Sequence, residues 1–419
     1  VNVIRFVAFT LALLLGCAVA ATAANAPALR PSDLRMVIVL SRHGVRSPTH
    51  PAELQPYASQ PWPAWPGHPG YLTERGALLM KQFGAYYRKI YGAGLGESER
   101  GCPGAGSVFV WADVDQRTRA TGQAVLQGFA PGCSIAVQHA GGDADPLFDP
   151  LPGVGTVSKT ESKASIMGAV GGNPSGLVDA YGAVFTTLEQ VLGCASPGTC
   201  KQISQVPTTV SNDGDGGLAG FSGGLDMAAD VAENLLLEYT DGHATVGWGR
   251  VDRRRLVELL QLHVLAKKLE HGNRYTARAH GSNIVAHILQ TLEEGATGKA
   301  VAGTRVPPEA RFIFLAGHDT QLAEIAGLLG LSWLIKGDQF NNTPPGSALI
   351  FELHAPSGGE PFVRTFFTAQ SLDAMRAGRG ENPQRVPVYV PGCPSFDCPF
   401  ATFSSIVSTA IDPAFVAAW

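Results

Sequence analysis

Charge is scarce in this chain. Asp, Glu, Lys and Arg make up only 16% of the 419 residues, and 31 basic residues face 35 acidic ones. A net charge of −4 argues against a nucleic-acid binder that works through a cationic face. No C-x-x-C and no H-E-x-x-H occurs, so the common zinc signatures are missing. No G-x-x-x-x-G-K-[ST] occurs either, which removes the phosphate loop of nucleotide hydrolases. No repeat of fixed period is visible. What the chain does have is 45% apolar residues, enough to fill a sizeable core at this length. It also has 50 Gly and 29 Pro, which predict many loops and argue against a long helical bundle.

Residues 1–26 read as a secretory leader. Arg5 is followed by an apolar run over residues 6–15 and then by small residues. That run is short for a membrane span, and none is expected. Leu14-Leu15-Gly16-Cys17 also resembles a bacterial lipobox, so a lipid anchor on Cys17 is the minor alternative. Periplasmic or secreted residence follows from either leader. The six remaining cysteines, Cys102, Cys133, Cys194, Cys200, Cys393 and Cys398, allow about 15 pairings, and an exported chain favours disulfides. Proximity along the chain favours 102–133, 194–200 and 393–398.

Three short apolar runs read as buried strands, each entering polar residues and then a helical pattern. They are residues 36–40, 108–112 and 312–316. Near-continuous apolar strands imply a sheet covered on both faces, hence an α/β class. Residues 51–70 read as a proline-rich loop, 72–91 as a helix, and 347–353 and 362–368 as late strands. Helical segments at 225–240 and 251–271 suggest a mostly α insertion. The expected organisation is a catalytic α/β domain from 27–158 and 281–419, with an inserted helical domain at 159–280.

Ligands bind beyond the carboxyl ends of strands in such sheets. The first strand delivers Arg42, His43 and Arg46 to that edge. The second delivers Arg117 and a further candidate, Arg119; the third delivers His318 and Asp319. Guanidinium groups converging on one edge suit a multiply charged oxyanion, because Arg binds phosphate bidentately and keeps its proton. Neutral His43 can attack phosphorus, Arg42, Arg46, Arg117 and His318 can hold the phosphoryl oxygens, and Asp319 can protonate the leaving alcohol. This scheme requires no metal or other cofactor. It needs a protonated Asp319, and so predicts an acidic optimum. His263, on an apolar helical face, reads as a core residue. Gly220-Phe221-Ser222-Gly223-Gly224 fits G-x-S-x-G, but the preceding stretch does not read as the strand that a serine nucleophile needs.

Arg42-His43-Gly44-Val45-Arg46-Ser47-Pro48-Thr49 and the distant Gly317-His318-Asp319-Thr320 resemble the two signatures of the histidine acid phosphatases. Asp113-Val114-Asp115-Gln116-Arg117-Thr118, Gly247-Trp248-Gly249-Arg250 and Asn342-Thr343-Pro344-Pro345-Gly346 are similar to segments of the bacterial periplasmic phytases. The resemblance covers nearly the whole chain after the leader. It implies a large α/β domain with a central, mainly parallel sheet, and a smaller α domain over the cleft. It also implies His43 as nucleophile, Asp319 as proton donor, and Arg42, Arg46, Thr49, His50, Arg117 and His318 as phosphate-binding residues. The implied substrate is a small phosphorylated molecule, an inositol phosphate first and a sugar phosphate such as glucose 1-phosphate as the alternative. A monomer is the default expectation. His50 stands where those phytases usually have Lys, which lowers the attraction for a polyanion at neutral pH.

Overall fold

The computed structural model describes residues 30, 33–96, 101–150, 153–196 and 198–419. The expected leader and Cys17 lie outside the described residues. In chain order come β1 (Leu34–Arg42), α1 (Glu74–Tyr91), β2 (Val108–Ala112), α2 (Gln116–Phe129) and the short β3 (Val137–Gln138). A helical stretch follows: α3 (Lys159–Ala169), α4 (Gly176–Ala180), α5 (Gly182–Leu192), the two-stranded β4 (Thr209–Ser211) and β5 (Gly220–Ser222), α6 (Gly224–Asp241), α7 (Arg253–Glu270) and α8 (Arg274–Thr297). The chain then forms β6 (Phe312–Gly317), α9 (Asp319–Leu329), β7 (Ala348–His354), β8 (Phe362–Ala369), α10 (Leu372–Ala377), β9 (Gln384–Val388), β10 (Cys398–Pro399) and α11 (Phe400–Ala410).

The large sheet runs β10-β8-β7-β1-β6-β2-β3, with β9 on β8. Its half around β1, β6, β2 and β3 is parallel, and the β7 to β10 half is antiparallel. Alternate residues of β1 serve opposite faces, as the pleat requires. Met36, Ile38 and Leu40 pack with Ile284 and Ile288 of α8 and Leu322 and Ile325 of α9. Val37 and Val39 pack with Phe83 and Tyr87 of α1 and Val125 and Phe129 of α2. Covering on both faces explains the near-continuous apolar strands.

A third core joins α5, α6 and α7 through Leu188, Leu192, Leu235, Leu256 and Leu259, and takes in Leu54 and Ala58 from the proline-rich loop. The expected boundary at residue 280 falls inside α8, whose later residues belong to the sheet's core. The cysteines pair as 102–133, 194–200 and 393–398. The G-x-S-x-G segment does follow a strand, contrary to expectation: β5 ends at Ser222 and α6 starts at Gly224. Its Ser222 hydroxyl, however, is hydrogen-bonded to that of Thr209 at 2.8 Å rather than to a histidine.

Candidate active site

The ends of β1, β6 and β2 are locked in register where the polar residues emerge. The His43 N–H donates to the Gly317 carbonyl at 2.9 Å, and the Asp113 N–H donates to that of Ala316 at 3.0 Å. From the other side, the Gly346 N–H donates to the His43 carbonyl at 2.9 Å. The turn after β1 lies directly on α1. The Val45 carbonyl accepts from the Thr73 N–H at 2.9 Å, and Gly76 makes this approach possible. A Cβ at Gly76 would sit 2.2 Å from the Val45 oxygen, a distance that no side chain could accept without moving the turn.

His43 is 2% exposed. Its Nδ1 lies 2.8 Å from the Gly44 carbonyl oxygen, which can only accept, so Nδ1 carries the hydrogen and Nε2 keeps a lone pair. Burial holds the ring well below the usual histidine range, and the charges of Arg42, Arg117, His318 and Arg46 push it further down. The ring is therefore held neutral, with a lone pair on Nε2. His318 lies edge-on to it, with ring centroids 5.4 Å apart.

Arg42 is 1% exposed. One Nη donates to the Thr343 carbonyl at 2.6 Å, and the other pairs with Glu233 of α6. Glu233 also faces Arg46 at 3.6 Å. Burial alone would raise the Glu233 carboxyl, but Arg42, His263 and Arg46 outweigh it and keep it ionised. Arg117, in the first turn of α2, is braced by Asp115 at 2.6 Å. His318 Nε2 donates to buried Asp113 at 2.6 Å, which fixes the orientation of the ring. The helices α2 and α9 both begin at these strand ends, and a helix N-terminus favours an anion.

Asp319 opens α9. Its Oδ2 has three partners: His263 Nε2 at 3.3 Å, Lys267 Nζ at 3.7 Å and an Arg42 Nη at 3.8 Å. Burial would raise this carboxyl, yet Lys267, Arg42 and His263 hold it well below the usual carboxylate range. Asp319 is thus held as a carboxylate. One oxygen or nitrogen from each of Asp113, Asp115 and His318 falls within 4.8 Å of the others, a spacing open to a cation. Such a cation would compete with Arg117 for Asp115.

Arg42, His43, Arg46, Arg117, His318 and Asp319 are brought together as expected. Thr49 and His50 are exposed on the turn that follows Arg46. Arg119 is not part of the group: it is exposed on α2 in a surface depression shared with Val137 and His139. His263, expected in the core, is buried but touches Asp319 and Glu233. Sequence reasoning also missed Glu233, Lys267 and Asp113. The signal for Glu233 and Lys267 is polar residues at helical spacing on largely apolar helices, Asp226, Asp230 and Glu233 on α6 and His263, Lys267 and Glu270 on α7, whereas Asp113 directly follows β2.

The sequence matches the profile of the histidine phosphatase superfamily (branch 2) over residues 33–368. It is 32% identical to phytase AppA of Escherichia coli (strain K12) over 406 residues, covering 91% of this chain and 93% of that protein. It is 26% identical to a glucose-1-phosphatase of Providencia rettgeri, over 90% of this chain and 92% of that one. The fold is similar to that of the Hafnia alvei phytase solved with myo-inositol hexakis sulphate. The TM-score is 0.83 at 33% identity, covering 92% of this chain and 98% of that chain.

Proposed function

The chain is a member of the histidine phosphatase superfamily, branch 2, and on that premise we propose that it is an acid phosphomonoesterase and a phytase, hydrolysing inositol hexakisphosphate through a phosphohistidine. The observation that carries the mechanism is the tautomer of His43: Nδ1–H is tied to the Gly44 carbonyl, and Nε2 is left unprotonated among arginines.

The steps balance as follows. The Nε2 lone pair forms a bond to phosphorus, and the P–O bond to the leaving group breaks with its electron pair on oxygen. That oxygen takes a proton from Asp319 and departs as an alcohol. Water then attacks the phosphohistidine and loses a proton to Asp319, and phosphate is released with His43 neutral again. Arg42, Arg46, Arg117 and His318 offset the charge of the three phosphoryl oxygens in both transition states. No step calls for a metal. In this reading the exposed Thr49 and His50, on the turn after Arg46, contact further phosphates of the substrate. The three disulfides and the expected leader support periplasmic or secreted residence.

At neutral pH and above, one observation favours a sugar phosphate instead. Asp226, Asp230 and Glu270 line the α6–α7 wall beside the site, and burial raises all three carboxyls, Asp226 to about 7. Once ionised, that wall disfavours a substrate with many phosphates. The deciding experiment is phosphate release at pH ~4.5, near the carboxylic range, by the purified protein with chelator present. The substrates are inositol hexakisphosphate, glucose 1-phosphate and p-nitrophenyl phosphate. Preference for the inositol ester is expected; preference for glucose 1-phosphate would overturn the phytase reading, and release that requires a metal would overturn the mechanism.

A further inference from the structure

We propose that Lys267 is a positioning residue of this reaction: its pairing with Oδ2 of Asp319 reserves Oδ1 for the leaving group and ties proton uptake by Asp319 to the arrival of the phosphoryl group. The inference rests on the phosphatase reading and extends it to a residue outside the strand-end motifs.

The geometry is one-sided. The shortest ion-pair contact that Asp319 makes with each of Arg42, His263 and Lys267 falls on Oδ2. Arg42 is already committed to Glu233 and to the Thr343 carbonyl. His263 lies between Asp319 and Glu233, at 3.3 and 3.7 Å. Lys267 contributes a full positive charge at 3.7 Å, and it leads the groups that keep Asp319 ionised against burial. The lysine side chain is 28% exposed, so its charge is only partly screened.

The groups around this pair come from every neighbouring element. Asp226, Asp230 and Glu233 face it from α6, His263 and Glu270 from α7 with His271 just after it, and Arg42 and Arg46 from β1 and the turn after it. Asp226, Asp230 and Glu270 compete with Asp319 for Lys267 when ionised. Asp319 meets two opposed demands. An empty site crowded with guanidinium groups is stabilised by an ionised Asp319, while catalysis needs that carboxyl protonated. A phosphoryl group entering beside it supplies the negative charge that lets the proton bind. Lys267 sets the pH at which this happens without touching the reacting phosphorus.

The test is the pH profile of kcat for K267Q and K267R on glucose 1-phosphate and p-nitrophenyl phosphate. Removing a cation within ~4 Å of a carboxylate shifts it by about one pH unit or more. K267Q is expected to move the alkaline limb on the sugar ester up by about one unit. On the aryl ester, whose leaving group needs no proton, the limb should stay close to that of the wild type. K267R should restore the wild-type limb on both. An unmoved limb in K267Q, equal movement on both esters, or a K267R limb displaced like that of K267Q would overturn the inference. K267M replaces K267Q if circular dichroism finds the latter unfolded. Absence of turnover in the wild type would instead fail the phosphatase reading itself.

Discussion

Replacing Glu233 by Gln keeps the shape of the side chain and removes one buried charge. Arg42, 1% exposed, then loses the anion it pairs with most closely, and Arg46 loses its partner at 3.6 Å. Breaking a buried pair on one side costs about 3–5 kcal/mol. The lower end applies here, because Asp319 remains 3.8 Å from Arg42. At about 2.1 cal/mol/K per residue, a chain of this length has an unfolding entropy near 0.9 kcal/mol/K, so ~3 kcal/mol lowers Tm by about 3 °C. The same change leaves the phosphate pocket more positive. Inorganic phosphate should therefore bind E233Q about tenfold more tightly, which at fixed phosphate adds roughly 1.4 kcal/mol of ligand stabilisation over the wild type. Differential scanning fluorimetry with and without saturating phosphate reads both effects. A Tm within a degree of wild type, with no larger gain from phosphate, would refute the claim that Glu233 offsets the arginine charge.

Further outcomes follow from the same geometry. D319N should lower kcat on alkyl phosphates by about 10²–10⁴-fold but on p-nitrophenyl phosphate much less, because a good leaving group needs little protonation; equal losses would count against Asp319 as the acid. D226N should raise stability at pH 8 by about 1 kcal/mol, after allowance for screening, and change it little at pH 4. The sign follows from the raised folded pKa of about 7: stability from Asp226 is full below the unfolded carboxyl range and is lost as pH rises through about 7. Urea melts at both pH values check this. Burial lowers His43, so its contribution has the opposite sense. The folded state binds fewer protons than the unfolded one, and stability falls as pH drops below the free-histidine range near 6.5. H43Q should flatten that part of the pH–stability curve, and an unchanged slope would contradict a neutral buried ring.

The residues legible in the sequence share one property: they sit in short contiguous runs at the ends of apolar strands. Arg42 to Arg46, Arg117, and His318 with Asp319 could be placed on one edge because β1, β2 and β6 end together. Arg119 was misplaced for the same reason: two residues beyond Arg117 on a helix is about 200° around its axis, the far side of α2. Glu233, His263 and Lys267 were not legible as site residues, since their proximity to β1 and α9 depends on how α6 and α7 dock. Local pattern alone made His263 a core residue. Burial was the right inference, but its partners are charges, not apolar side chains. The antiparallel half of the sheet likewise follows from pairing between β7 and β1, which nothing within either segment specifies. The strand before Ser222 is only three residues long and glycine-flanked, too short to leave a periodic signal.

The central claim is that His43 Nε2 becomes phosphorylated. The most direct measurement is rapid quenching into alkali during turnover of p-nitrophenyl phosphate, followed by mass spectrometry of the peptide containing residues 42–49. The account predicts one phosphoryl group on His43, formed and lost at rates compatible with kcat and absent from H43A. Full turnover without a modified His43, or a phosphoryl group on another side chain, would contradict it.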